Sequence, residues 1–138
     1  MAGYSKRTLV EKLGIKDGAT IAIINPPNNY DRMLVKLPRD VTRHSFLDRN
    51  SFNLIHYFSR SQEDLKEQFP KLKKAILKTG MLWISWPKGA YCNFVGSDLN
   101  ENIIRDIGLE NGLVDVKVIA VDENWSGLKF VYRVKDRG

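Results

Sequence analysis

Three apolar runs, within residues 20–25, 52–59 and 81–86, are strand-sized and barely interrupted by charge. Strands of this kind belong in the middle of a parallel sheet, buried on both faces, because a half-wet strand would alternate apolar and polar residues. A parallel neighbour needs a crossover, and the segments between the runs carry helical periodicity. Strands alternating with helices imply a mainly parallel sheet with helices packed on both sides, a three-layer α/β sandwich. The last quarter differs: "LVDVKVIAV" and "LKFVYRV" flank "DENWSG" and read as an antiparallel C-terminal hairpin.

The helical segments have legible ends. Residues 5–13 form a short amphipathic helix with Ser5 as N-cap and Gly14 as C-cap. Residues 30–36 suit another short helix, and 40–46 is a weaker strand candidate. Ser61 caps a helix with Asp64 three residues on, an approximate capping box. Leu65, Phe69, Leu72 and Ile76 make its apolar stripe, Pro70 predicts a kink or restart, and Gly80 ends it. A further helix over 97–112 has Ser97 or Asp98 as cap, an apolar face of Leu99, Ile103, Ile104 and Ile107, and Gly112 as terminator.

With 138 residues, 43% hydrophobic and 28% charged, the chain fits one compact domain over 1–138 with a real core. No internal repeat or linker divides it. No apolar run is long enough to span a membrane, the first 14 residues lack an apolar signal core, and the cytoplasm is the expected location. A single cysteine, Cys92, excludes an internal disulfide and a cysteine-rich metal site. The net charge of +6 is uneven: residues 1–78 hold 15 Lys/Arg against 8 Asp/Glu, and 79–138 hold 7 against 8. That permits attraction to nucleic acid or a phosphorylated metabolite, but scattered cations read first as solvated faces. Lys71, Lys74 and Lys78, on one predicted helix face, are read in the same way.

Right-handed crossovers place the carboxyl ends of the three strong strands on one edge, joined there by loop 122–127. Open α/β sheets bind ligands at that edge. A cofactor-cradling loop after the first strand needs glycines for close backbone approach, yet the chain has Asn25-Pro26-Pro27. Three groups are therefore candidate ligand contacts. Asn25, Pro26 and Tyr30 follow the first strand. Trp86, with an indole to stack on a ring, and Lys88, with a charge for an anion, follow the third. Asp122, Glu123, Trp125 and Ser126 lie in the hairpin loop, where the carboxylates could do acid-base work. Asn25, Trp86, Lys88 and Trp125 are expected around one cleft. His44 and His56 lack metal-ligand spacing and read as non-catalytic, Cys92 as a passive thiol, and no metal site is expected.

This succession resembles the class I methyltransferase fold. "LGIKDGATIAIIN" looks like that superfamily's first strand, "SFNLIHYF" like its fourth, and "KAILKTGMLWIS" like its fifth with the preceding helix. More closely, "GYSKRTLVEKLGIKDG", the Asn-Pro element, "WISWPKGA" and "GLVDVKVIAVDENWSGLKFV" are similar to a family of small bacterial proteins without an assigned activity. The resemblance implies a Rossmann-like domain and carries no catalytic residue. Amino-methyltransferases hold their target amine on an Asn-Pro-Pro-Tyr element, but here Tyr30 stands three residues after Pro27. The only echo of a glycine-rich cofactor loop is "NFVGSD" at 93–98.

The expected function is binding of a small ligand, anions included, at the carboxyl edge without a glycine-rich loop. The alternative is a non-enzymatic interaction module using the basic surface for nucleic acid or an acidic protein. S-adenosylmethionine-dependent methylation ranks behind both. The sequence specifies no cofactor, no reaction and no oligomeric state.

Overall fold

The computed structural model describes residues 7–138. In chain order the elements are α1 (Leu9–Leu13), β1 (Thr20–Ile24), α2 (Tyr30–Leu34), β2 (Thr42–His44), β3 (Phe52–Phe58), α3 (Gln62–Ala75), β4 (Ile76–Pro87), α4 (Gly89–Val95), α5 (Glu101–Glu110), β5 (Leu113–Ala120) and β6 (Trp125–Tyr132). The strands form one six-stranded sheet in the order β2-β1-β3-β4-β6-β5. β2, β1, β3 and β4 pair in parallel, and β6 runs antiparallel to both β4 and β5. The fold is thus a single-domain Rossmann-like α/β sandwich ending in an antiparallel hairpin. Among the described residues no helix is long and apolar enough to cross a membrane.

Strand alternation sorts the core onto two faces. On one, Leu65, Phe69 and Leu72 of α3 and Ile104 and Ile107 of α5 pack on Ile55, Leu82, Ile84, Leu128 and Phe130. On the other, Leu9 and Leu13 of α1 and Tyr30 and Leu34 of α2 pack on Ile21, Ile23, Leu54, Trp83 and Trp125. Trp83 also donates its indole N–H to the Leu13 carbonyl at 2.9 Å, which pins the end of α1 to the sheet.

Several boundaries move. Ser5 lies outside the described residues. Thr8 caps α1 in a reciprocal box with Glu11, and Gly14 closes the helix in a left-handed conformation as expected. α3 stops at Ala75 rather than Gly80, and β4 takes the next twelve residues. The lysine-rich stretch could continue as helix, but Ile76 pairs with Phe52 and the strand wins. Gly80 therefore lies inside a strand, where a Cβ would stand 2.9 Å from the Phe52 carbonyl oxygen. Lys78 moves with it, off the helix face predicted for Lys71 and Lys74. Pro70 interrupts nothing: it sits exposed within an unbroken α3.

The second half of the chain holds a helix the sequence reading lacks, α4, between the left-handed glycines Gly89 and Gly96. Asn100, not Ser97 or Asp98, caps α5. Asp98 instead serves α3, accepting from the Gln62 amide at 2.8 Å. The hairpin loop is shorter than predicted, since Trp125 and Ser126 already belong to β6.

α5 approaches the sheet through Gly108, where a Cβ would fall 2.0 Å from Cε1 of Phe130. Alanine in a helix normally gains about 1 kcal/mol over glycine. Here overpacking reverses the sign: Gly108→Ala is expected to lower unfolding free energy by about 2 kcal/mol, measured by urea denaturation. Unchanged or raised stability would show that α5 does not sit this close.

Candidate functional site

Because β1, β3 and β4 are mutually parallel and β5 shares their direction, the ends of all four face one edge. The chain leaves β1 toward β2 on one side and returns to β3 on the other, so the gap between β1 and β3 is the switch point where such sheets seat ligands. A cavity of about 310 Å³ lies there, lined by Asn25, Phe58, Ser59, Arg60, Ser61, Asp64 and Trp125.

Asn25 ends β1 exposed at φ 58°, a left-handed conformation that asparagine tolerates better than most residues. On the β3 side, Ser61 caps α3 by accepting from the Asp64 amide at 3.2 Å. The Asp64 carboxylate accepts from the Tyr57 hydroxyl at 2.7 Å and the Ser59 hydroxyl at 2.9 Å, both on Oδ2. Oδ1 retains capacity for another donor. Burial and this bond to Asp64 raise the Tyr57 pKa, so the phenol stays protonated as a donor. Arg60 is exposed at the rim. Trp125 forms the far wall, braced edge-on by Phe58 at 5.0 Å between ring centroids and flanked by Tyr91 at 5.7 Å.

Beneath the cleft runs a buried polar line. Nδ1 of His56 is 2.7 Å from the Tyr30 hydroxyl and Nε2 is 2.7 Å from the Ser85 hydroxyl. All three residues are buried. Burial lowers the His56 pKa to about 3, so the ring is neutral, one nitrogen donating and the other accepting. Burial likewise raises the Tyr30 pKa and keeps the phenol un-ionised.

Of the nine candidate residues, the cavity brings together Asn25 and Trp125, with Pro26 exposed beside Asn25. Tyr30 turns inward to His56 and is not available as the tyrosine of an amine-holding element. Trp86 is buried in the layer of α3 and α5, because β4 points Leu82, Ile84 and Trp86 to the face opposite the one holding Trp125. Trp86 and Trp125 share an edge but not a cleft, which corrects the expectation of a single cleft. Lys88 does not line the cavity either; its amide donates to the Asn124 carbonyl at 2.9 Å and joins the two loops. Asp122 shapes the turn, accepting from the amides of Asn124 and Trp125 at 2.8 and 2.9 Å. Glu123 is exposed, and Ser126 pairs with Trp86 within the sheet. Cys92 is a half-buried free thiol, and no cluster of three metal-ligating side chains occurs among the described residues.

No family model and no curated protein matches the chain. Solved structures do. A SAM-dependent methyltransferase from Aquifex aeolicus superposes with a TM-score of 0.59 at 14% identity, covering 88% of this chain and 86% of its own. A TehB-like SAM-dependent methyltransferase from Corynebacterium glutamicum gives 0.57 at 10% identity over 96% and 91%. A chain in the complex between the Haloferax volcanii Trm112 methyltransferase activator and the putative methyltransferase gives 0.62 at 6% identity over 89% and 86%. At these identities the likeness is one of fold: the protein has a class I methyltransferase-like Rossmann fold.

The neutral His56 makes stability depend on pH. Its pKa is lower folded than unfolded, so the unfolded chain binds the extra proton and stability falls as pH drops below about 6.5. Between pH 7 and 5 the loss attributable to His56 should be about 2 kcal/mol. A His56→Gln variant, which keeps a donor and an acceptor but cannot titrate, should show that much less dependence in paired denaturation curves. Parallel curves for the two proteins would mean that His56 is not held neutral.

Proposed function

We propose that this chain binds a small polar ligand in the cleft at the ends of β1 and β3. The observation that carries the reading is the position of the cavity, at the switch point of the sheet, with Asn25 on one side and Ser59, Arg60, Ser61 and Asp64 on the other. Arg60 offers a guanidinium to an anionic group. Oδ1 of Asp64 offers an acceptor to a hydroxyl or amine. Trp125 and Phe58 supply apolar wall. The ligand class these groups fit is a small molecule carrying both an anionic group and a hydroxyl or amine.

Native mass spectrometry of gently purified protein, followed by thermal-shift titration of any recovered molecule, tests the proposal. Arg60→Ala should weaken binding about tenfold or more, the scale of a lost charged hydrogen bond. Asn25→Gly, which suits the left-handed backbone, should leave stability unchanged or slightly higher while weakening binding. Thermal shifts indifferent to both substitutions would remove the cleft as the site.

The methyltransferase-like fold alone does not make the cleft a cofactor site. Pro26 and Pro27 have no amide N–H to offer, and their rings occupy the stretch where a glycine-rich turn would let a cofactor approach. Isothermal titration with S-adenosylmethionine is expected to show no tight binding. Micromolar affinity would contradict this and revive methyl transfer.

A further inference from the structure

The opposite edge of the sheet gathers cations. β6 delivers its carboxyl end where β4 begins, since the two strands are antiparallel. There the Nζ atoms of Lys73 and Lys78 lie 5.6 and 5.8 Å from the centroid of the Tyr132 ring. Arg137 donates through Nε to the Tyr132 carbonyl at 3.0 Å. Tyr132 in turn donates its hydroxyl to the Lys73 carbonyl at 3.0 Å, and Lys73 reaches the Asn111 carbonyl at 2.7 Å. A cavity of about 170 Å³ opens between Lys78, Thr79, Gly80, Val131 and Arg137.

None of the ion pairs formed among the described residues engages Lys73, Lys78 or Arg137, nor Arg133 and Lys135 beside them. Asp136, in the same 3-10 turn Val134–Asp136, pairs with none of them. Lys73 is held by the Asn111 carbonyl, while Lys78 and Arg137 open on the cavity with no carboxylate paired to either. A ligand anion is a fitting counter-charge there.

We propose that this edge is a second ligand site, separate from the cleft between β1 and β3, and that Lys78, Thr79 and Arg137 around its cavity bind a phosphate group. The cavity is small and holds no exposed aromatic face, since Tyr132 is buried, so a base or other ring has nothing to stack on. What the site offers is one point charge, a planar fork and the Thr79 hydroxyl, a donor set suited to tetrahedral oxyanions. Both a phosphorylated small molecule and the backbone of nucleic acid present that group.

Amide chemical-shift titrations with inorganic phosphate and with a short DNA duplex, each against sodium chloride at matched ionic strength, test the site. Saturable shifts at Thr79, Gly80, Val131 and Arg137 are expected with at least one probe. They should weaken at least tenfold in a Lys78→Ser/Arg137→Ser variant, whose exposed side chains leave the core spectrum intact. A response to phosphate with none to duplex assigns a phosphorylated small molecule. A duplex response that phosphate competes away assigns the nucleic-acid backbone. Shifts no larger than those with chloride, or unchanged in the variant, overturn the proposal.

Discussion

A neutral imidazole between two hydroxyls holds the carboxyl edge of this protein in place. His56 lies in the central strand β3 and joins Ser85 of β4 to Tyr30 of α2. Each hydrogen bond contributes only about 1 kcal/mol net, but breaking one leaves a buried polar group unpaired at a cost of about 1–3 kcal/mol. α2 has five residues, too few to persist as an isolated helix. It is held by what Tyr30 and Leu34 bury and by this bond. The position of α2 in turn fixes where residues 25–29 run, and so where Asn25 meets the cleft. A packing constraint under the sheet edge thereby becomes a constraint on the proposed ligand site.

The architecture was legible because apolar runs of strand length, separated by amphipathic stretches, leave few alternatives. The shared edge of Asn25, Lys88 and the 122–124 turn followed from the strands before them running in one direction. Which side chains enter the cleft did not follow. In the sequence Trp86 ends a strand and Trp125 lies in a loop at the same edge, yet cross-strand partners on β4 and β6 point to the same face of the sheet and Trp125 pairs with Pro87, not Trp86. Only the register separates them. Locally, Ser59 reads as a strand end and Ser61 with Asp64 as a helix cap, and nothing marks Arg60. The role proposed for them depends on β3 being the neighbour of β1 across the switch point, which is a property of strand order and not of local sequence.

The same topology sorts charge between the two edges. Lead-ins to parallel strands all lie at the amino edge, where the end of α3 and the tail after β6 add Lys73, Lys78, Arg133, Lys135 and Arg137. The carboxyl edge carries Asp64, Asp122 and Glu123 beside Arg60 and Lys88. Asp17 and Asp136 lie at the amino edge as well. The carboxyl cleft has a mixed-sign lining in Arg60 and Asp64, which suits a ligand with groups of both kinds better than a bare anion.

Backbone amide mapping with the small-molecule fraction of a cell lysate tests the proposed ligand site. Shifts concentrated at Asn25, Ser59, Arg60 and Ser61, together with the Trp125 indole, are the result expected of a cleft at the switch point. A third cavity, of about 240 Å³, lies at the opposite edge against residues 14–19, Asn53 and Met81. Shifts confined to that cavity, with residues 25 and 59–61 unmoved, would contradict the placement of the ligand site at the carboxyl edge.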